Sequence, residues 1–169
     1  LNLLNRIPVP RGFQWVEHET LHMLAKQQDD GVIEGWHGDG NYARTALMVA
    51  LWKSQGARIQ PWRADVSLGA VEKDGALHLS LRSRWPWEGR VLFDRPRHRE
   101  YLGLPTDYAR LNQFPEWFTA EKETSYDVTT LHTNGETTRT WTGGDLWAGL
   151  PVTVGKDETL RLVLRPAER

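Results

Sequence analysis

The amino-acid sequence predicts an α+β protein: an N-terminal helical hairpin followed by an antiparallel β-sandwich. Up to Gly56 apolar residues recur at helical spacing; beyond it they recur in short alternating runs closed by turn residues. Helices come first and strands afterwards, without alternation, which argues for separate layers rather than a doubly wound sheet. The change of grain falls near ARIQPW at 57–62, so residues 1–60 are assigned to the hairpin and 61–169 to the sandwich.

The first predicted helix lies in FQWVEHETLHML, 13–24. At about 100° per residue, Phe13, Val16, Leu21, Met23 and Leu24 gather on one side, and Trp15, His18, Glu19 and His22 on the other. The helix is expected to stop in QQDDG, 27–31, whose polar residues and glycine terminate helices. The loop VIEGWHGDGN follows, and its Asp39 or Asn41 can cap the next helix. That helix, NYARTALMVALWKSQG, is apolar nearly all round over 46–52, so it calls for neighbours on several sides. Lys53 and Gly56 suit its end.

In the second half, Leu77, Leu79 and Leu81 alternate with His78, Ser80 and Arg82 after the turn EKDG. RVLFD, SYDVTTL, TTRTWT around Asn134-Gly135, LPVTV and TLRLVLR read as further strands, for about seven in all. The stretch 95–118 is read as a long irregular section that docks on a neighbouring domain.

Composition narrows the function. The formal charge of −1, from 21 basic and 22 acidic residues, gives no electrostatic reason to expect nucleic acid or an anionic membrane as partner. The absence of cysteine excludes a disulfide framework and a thiolate metal site. The longest apolar run, 46–52, is about a third of a bilayer span, and no basic-then-apolar leader opens the chain. The chain begins at Leu1, as an excised or processed segment would, so a fragment is expected. Nine tryptophans point mildly to carbohydrate, because indole faces stack on sugar C–H surfaces while the N–H reaches a hydroxyl; core packing is the plain alternative.

His18, Glu19 and His22 form H-E-x-x-H, which on a helix sets two imidazoles on one face to chelate zinc, with the glutamate as general base. The elongated form fails, since Ala25 stands where glycine belongs and Gln28 where the third histidine belongs. Too little chain precedes the helix for the sheet of a zinc peptidase. No metal or other cofactor is therefore assigned, and a histidine face lining an interface or cleft is the plain alternative. In IEGWHGDGNYAR, His37, Asp39, Tyr42 and Arg44 cluster on a glycine-loosened turn at a helix N-terminus. Arg44 there opposes the helix dipole and needs a carboxylate, either Glu17 or a uronic acid gripped bidentately. The run Arg95, Arg97, His98 and Arg99, with aromatics after it, lacks any nucleic-acid motif.

DGNYARTALMVALWKSQG, the Pro-Trp turn after it, FDRPRHREYLGLP and LNQFPEWF together resemble the closing part of bacterial carbohydrate-active enzymes of the six-hairpin (α/α)-toroid kind. The resemblance spans most of the chain and rests on layout and a few phrases. It implies the last hairpin of an α/α toroid, a trailing β-sandwich and an extracellular or periplasmic location. The remaining N-terminal part of the same enzyme would be a partner. The function expected is that of a glycoside hydrolase or polysaccharide lyase on an acidic polysaccharide or oligosaccharide. By placement, His18, Glu19, His22, His37 and Asp39 are the acid/base candidates. Trp15, Trp36 and Tyr42 are the sugar platforms, and Arg44 is the carboxylate clamp. A zinc-dependent hydrolase and a noncatalytic carbohydrate-binding or structural β-sandwich remain as alternatives.

Overall fold

The computed structural model describes residues 1–30, 32–33, 41–104 and 114–168. They form two compact units, residues 1–52 with Phe114 and Pro115, and residues 53–104 with 116–168. The fold is α+β, with helices in the first unit and two antiparallel sheets in the second.

In the first unit, α1 (Asn2–Arg6) leads into α2 (Pro10–Leu24), and α3 (Asn41–Ser54) follows. Pro10 suits the first turn of α2, where its missing N–H costs nothing. A Cβ at Gly12 would meet the tip of the Leu4 side chain, which places α1 against the start of α2. After α2 the chain turns, with Gln28 N–H donating to the Val32 carbonyl at 2.8 Å and Val32 N–H to Asp30 Oδ1 at 2.9 Å. α2 ends at Leu24, ahead of the expected stop in QQDDG.

α2 and α3 pack antiparallel. Phe13 near the start of α2 stacks on Trp52 near the end of α3, with ring centroids 5.4 Å apart, and Val16 and Met23 are the buried residues of α2. The helical wheel puts Leu21 and Leu24 on the buried side, and the structure does not. Leu21 is 65% exposed and Leu24 43%, because α3 meets the arc through Phe13, Val16, Thr20 and Met23, which excludes Leu21 and leaves Leu24 at its margin. α3 behaves as a helix short of neighbours. None of its residues with described side chains is buried, and Leu47 is 56% exposed. It closes on Gln55 (φ 50°) and Gly56 (φ 78°), the left-handed end that the glycine foretold.

The second unit holds eight strands among the described residues: β1 (Arg58–Gln60), β2 (Val66–Lys73), β3 (Ala76–Ser83), β4 (Trp87–Leu92), β5 (Ser125–His132), β6 (Gly135–Thr142), β7 (Leu150–Val154) and β8 (Thr159–Pro166). They form a five-stranded sheet, β2-β3-β8-β5-β6, and a three-stranded sheet, β1-β4-β7. Leu77, Leu79 and Leu81 face inward and are buried while Ser80 and Arg82 stay exposed, as the alternation required. From the small sheet Trp87, Val91, Leu150 and Val154 join them in one core, with Tyr126, Val128, Leu162 and Leu164 from the large one. The turn EKDG places Asp74 (φ 52°) and Gly75 (φ 70°) between paired Lys73 and Ala76, the two-residue left-handed loop that matches strand twist. At the Asn134-Gly135 signal the loop sits one residue earlier: Thr133 and Asn134 are its two residues, and Gly135 already pairs with His132.

This unit also contains two helices beyond those the periodicity predicts. The stretch read as irregular contains α4 (Arg97–Leu102), closed by Gly103 at φ 62°. The arginines of its basic run have partners within the unit. Arg95 lies 5.0 Å from the Trp147 ring, Arg97 pairs with Asp94 at 2.9 Å, and Arg99 pairs with Glu121. The helix α5 (Gly143–Ala148) starts on a capping box in which Thr142 and Asp145 each bond the other's backbone N–H.

Among the described residues of α1, α2 and α3, Val16 and Met23 are the buried hydrophobics, whereas β3 and β8 run through the core of the second unit. In hydrogen exchange, amides of α2 and α3 are expected to exchange through local opening, and those of β3 and β8 only through global unfolding of their unit. Equal protection would contradict this difference in packing.

Acid sensitivity follows from two carboxylates. The Arg63 guanidinium bonded to Asp65, and the Thr142 hydroxyl and N–H bonded to Asp145, hold both carboxyls below the ordinary carboxylate range. A depressed folded-state pKa contributes stability above the unfolded value of about 4, and that contribution is lost as pH falls through the folded value. Denaturant midpoints of Asp145→Asn should therefore depend less on pH below about 4 than those of the parent chain. Identical acid profiles would remove Asp145 as a contributor.

Candidate functional site

The four residues expected on one face of α2 lie in two strips. His18 and His22, one turn apart, bring their Nε2 atoms to 3.3 Å, with ring centroids 4.5 Å apart. Which ring donates its N–H and which accepts depends on the tautomers. Both imidazoles are exposed. The second strip, Trp15 and Glu19, opens onto a cavity of about 380 Å³ between α2 and α3, lined also by Leu1, Val16, Thr20, Met23, Tyr42, Thr45, Met48 and Val49. Trp15 is 65% exposed, which leaves its indole face free to meet a ligand at the rim.

The strips are continuous. Trp15 and His18, and Glu19 and His22, stand three residues apart on one helix and are surface neighbours. α2 thus presents an aromatic plane, a carboxylate and a pair of imidazoles in contact, with Tyr42 of α3 across the cavity from Trp15 and Glu19. Thr20 is turned to its own helix, its hydroxyl donating to the Val16 carbonyl at 2.7 Å. Arg44 is half-buried and is not a free cation. Trp36, His37 and Asp39 lie outside the described residues, and so does Glu34. Among the described residues no cluster of three or more histidine, aspartate or glutamate side chains is placed to hold a metal ion, so His18 and His22 have no third ligand there.

Compared with protein-family models, with curated proteins and with solved structures, the chain matches none. Its function is therefore read from geometry and chemistry.

Sequence reasoning passed over a second region. Between the two sheets, the inner faces of β5, β6 and β8 and the strand β7 enclose a cleft of about 380 Å³ that contains Thr130, His132, Thr137, Arg139 and Trp141. A signal for it was present. TTRTWT alternates so that Thr137, Arg139 and Trp141 share one face, which an outward-facing polar strand would not put beside buried Val128 and Leu162.

Proposed function

We propose that this chain is the C-terminal portion of a carbohydrate-active enzyme, a glycoside hydrolase or polysaccharide lyase, acting on an acidic polysaccharide or oligosaccharide. The observation that carries the proposal is the continuous face of α2, where Trp15 and Glu19 rim a cavity shared with Tyr42 beside the paired His18 and His22. A sugar ring stacked on Trp15 would lie within reach of a carboxylate and of an imidazole pair that can hold and pass on one proton.

The proposed partner is the remaining N-terminal part of the same enzyme, in the form of further helical hairpins of an α/α toroid. Support comes from the apolar surface of the first unit: Leu3, Ile7, Val9, Leu21, Leu24 and Leu47 are all exposed. Toroid hairpins packed on α2 and α3 would cover these side chains, and a helix apolar on every side is what a ring of hairpins contains. An extracellular or periplasmic location belongs to the same proposal.

Two chemistries fit these residues. In elimination, a base removes the proton beside the uronate carboxyl group, the bond to the glycosidic oxygen breaks, that oxygen is protonated, and an unsaturated sugar remains; an imidazole suits the base, and Arg44 would exchange its present partner for the carboxylate. In hydrolysis, Glu19 and Asp39 would divide the acid and base roles. The test is to express the complete native open reading frame and incubate it with alginate, polygalacturonate, hyaluronan and chondroitin sulfate. Ultraviolet-absorbing unsaturated products are expected for elimination, and new reducing ends without them for hydrolysis. No depolymerisation of any of them would overturn the proposal, and activity abolished by chelators and restored by zinc would favour a zinc hydrolase built on His18 and His22.

A further inference from the structure

The cleft between the sheets of the second unit has the makings of a binding site in its own right. The small sheet ends at β7, while the large sheet continues through β5 to β6. The inner face of β5 and β6 thus runs on past the last strand opposite it. Cross-strand register pairs Tyr126 with Trp141, Val128 with Arg139 and Thr130 with Thr137, so these side chains lie on one face in three successive rungs. Val128, Leu150 and Leu162 are buried and make an apolar floor. Above it stand the half-buried Trp141, the exposed Arg139 and His132, and the hydroxyls of Thr130 and Thr137.

The chemistry of the lining selects the occupant. Among the described residues the cleft contains no carboxylate, its ionisable groups are Arg139 and His132, and Arg139 has no ion-pair partner. A guanidinium left open at such a site matches a carboxylate bidentately. An extended peptide adding a strand at the β7 or β6 edge is the obvious competitor; Pro151 lies in β7 and has no N–H to offer, and the peptide in the experiment below tests the β6 edge. Proline at an edge blunts strand addition. What the cleft offers instead are side chains: an indole plane for a sugar ring, hydroxyls for sugar hydroxyls, and a cation for a uronate. Its volume of about 380 Å³ lies within the range of small-ligand sites, roughly 300–1,000 Å³.

We infer that the cleft lined by Thr130, His132, Thr137, Arg139 and Trp141 binds an acidic oligosaccharide, as a noncatalytic subsite of the second unit. The inference shares its substrate class with the proposed function but uses none of the same residues. Binding here would hold the polymer to the protein while chemistry takes place elsewhere.

The experiment is calorimetric titration of the full chain with hexasaccharides of alginate, polygalacturonate and hyaluronan, alongside cellohexaose as a neutral sugar and a hexapeptide of alternating glutamate and valine. At least one uronate hexasaccharide is expected to bind with quenching of tryptophan fluorescence. Arg139→Gln is expected to weaken it at least about tenfold, the worth of one charge-assisted contact, and to abolish preference over cellohexaose. Trp141→Ala is expected to remove the quenching and to weaken binding by a similar factor, and Lys73→Gln, at an exposed cation outside the cleft, to change nothing. Both cleft side chains lie outside the buried set, and an unchanged unfolding midpoint verifies that the variants fold. The inference is overturned if no uronate hexasaccharide binds, if neither cleft substitution alters binding, or if the peptide binds in place of the sugars. Should binding follow Arg139 and Trp141 while the native reading frame depolymerises nothing, the enzyme proposal fails and the subsite stands. Turnover with binding indifferent to both residues removes the subsite and leaves the enzyme proposal intact.

Discussion

Leu81→Ala is expected to destabilise the second unit by about 2–5 kcal/mol, enough to lower its denaturant midpoint sharply or to prevent folding at physiological temperature. Leu81 is fully buried on β3, paired through the backbone with Leu68 on one side and Leu160 on the other. Its side chain shares a core with Trp87, Val91, Leu150 and Val154 of the small sheet. Truncation removes apolar contact and leaves a cavity between sheets whose strands are tied on both sides and cannot collapse into it. The same change at exposed Leu21 of α2 should cost little, because there is no packed site to empty. Equilibrium unfolding of the two variants compares the values directly. Comparable losses at the two positions would mean that α2 is covered by something other than α3.

On the proposed function, His22→Ala in the complete native protein is expected to lower kcat on an acidic polysaccharide by about 10²–10⁴-fold, the ordinary contribution of a general acid or base. His22 is exposed and its imidazole bonds to His18, so stability should change by no more than about 0.5 kcal/mol. His22→Gln separates proton transfer from hydrogen bonding: the amide can keep a bond to His18 but cannot cycle a proton, and turnover should stay low. If His22→Ala leaves kcat unchanged while Trp15→Ala raises KM, α2 binds the glycan and the proton transfers belong to other residues.

Periodicity made most of the elements legible. The alternation at 77–81, the EKDG turn and the LPVTV and TLRLVLR runs are local signals, and each strand formed where its pattern lay. α5 was legible in principle through Thr142 and Asp145, whose spacing of three is a capping signature. α4 carried a weaker one, since Arg97–Leu102 has no side-chain cap and only Gly103 marks its end. Of the candidate site, the pairing of His18 with His22 and the grouping of Trp15 with Glu19 followed from helical spacing alone. That Tyr42 faces the same cavity depends on how α3 docks, which spacing along the chain does not encode.

By itself, the sequence determined where helices give way to strands, which residues of β3 point inward, and that two imidazoles share one face of α2. These are properties of short periods, 3.6 residues in a helix and 2 in a strand, and they hold whatever the rest of the chain does. Only the tertiary structure decided that α3 leaves Leu21 exposed, that Arg95, Arg97 and Arg99 are spent on internal partners, and that the large sheet outruns the small one beside Trp141 and Arg139. Each of these turns on a contact between residues of different elements, and such contacts are set by how whole faces fit together rather than by any local pattern.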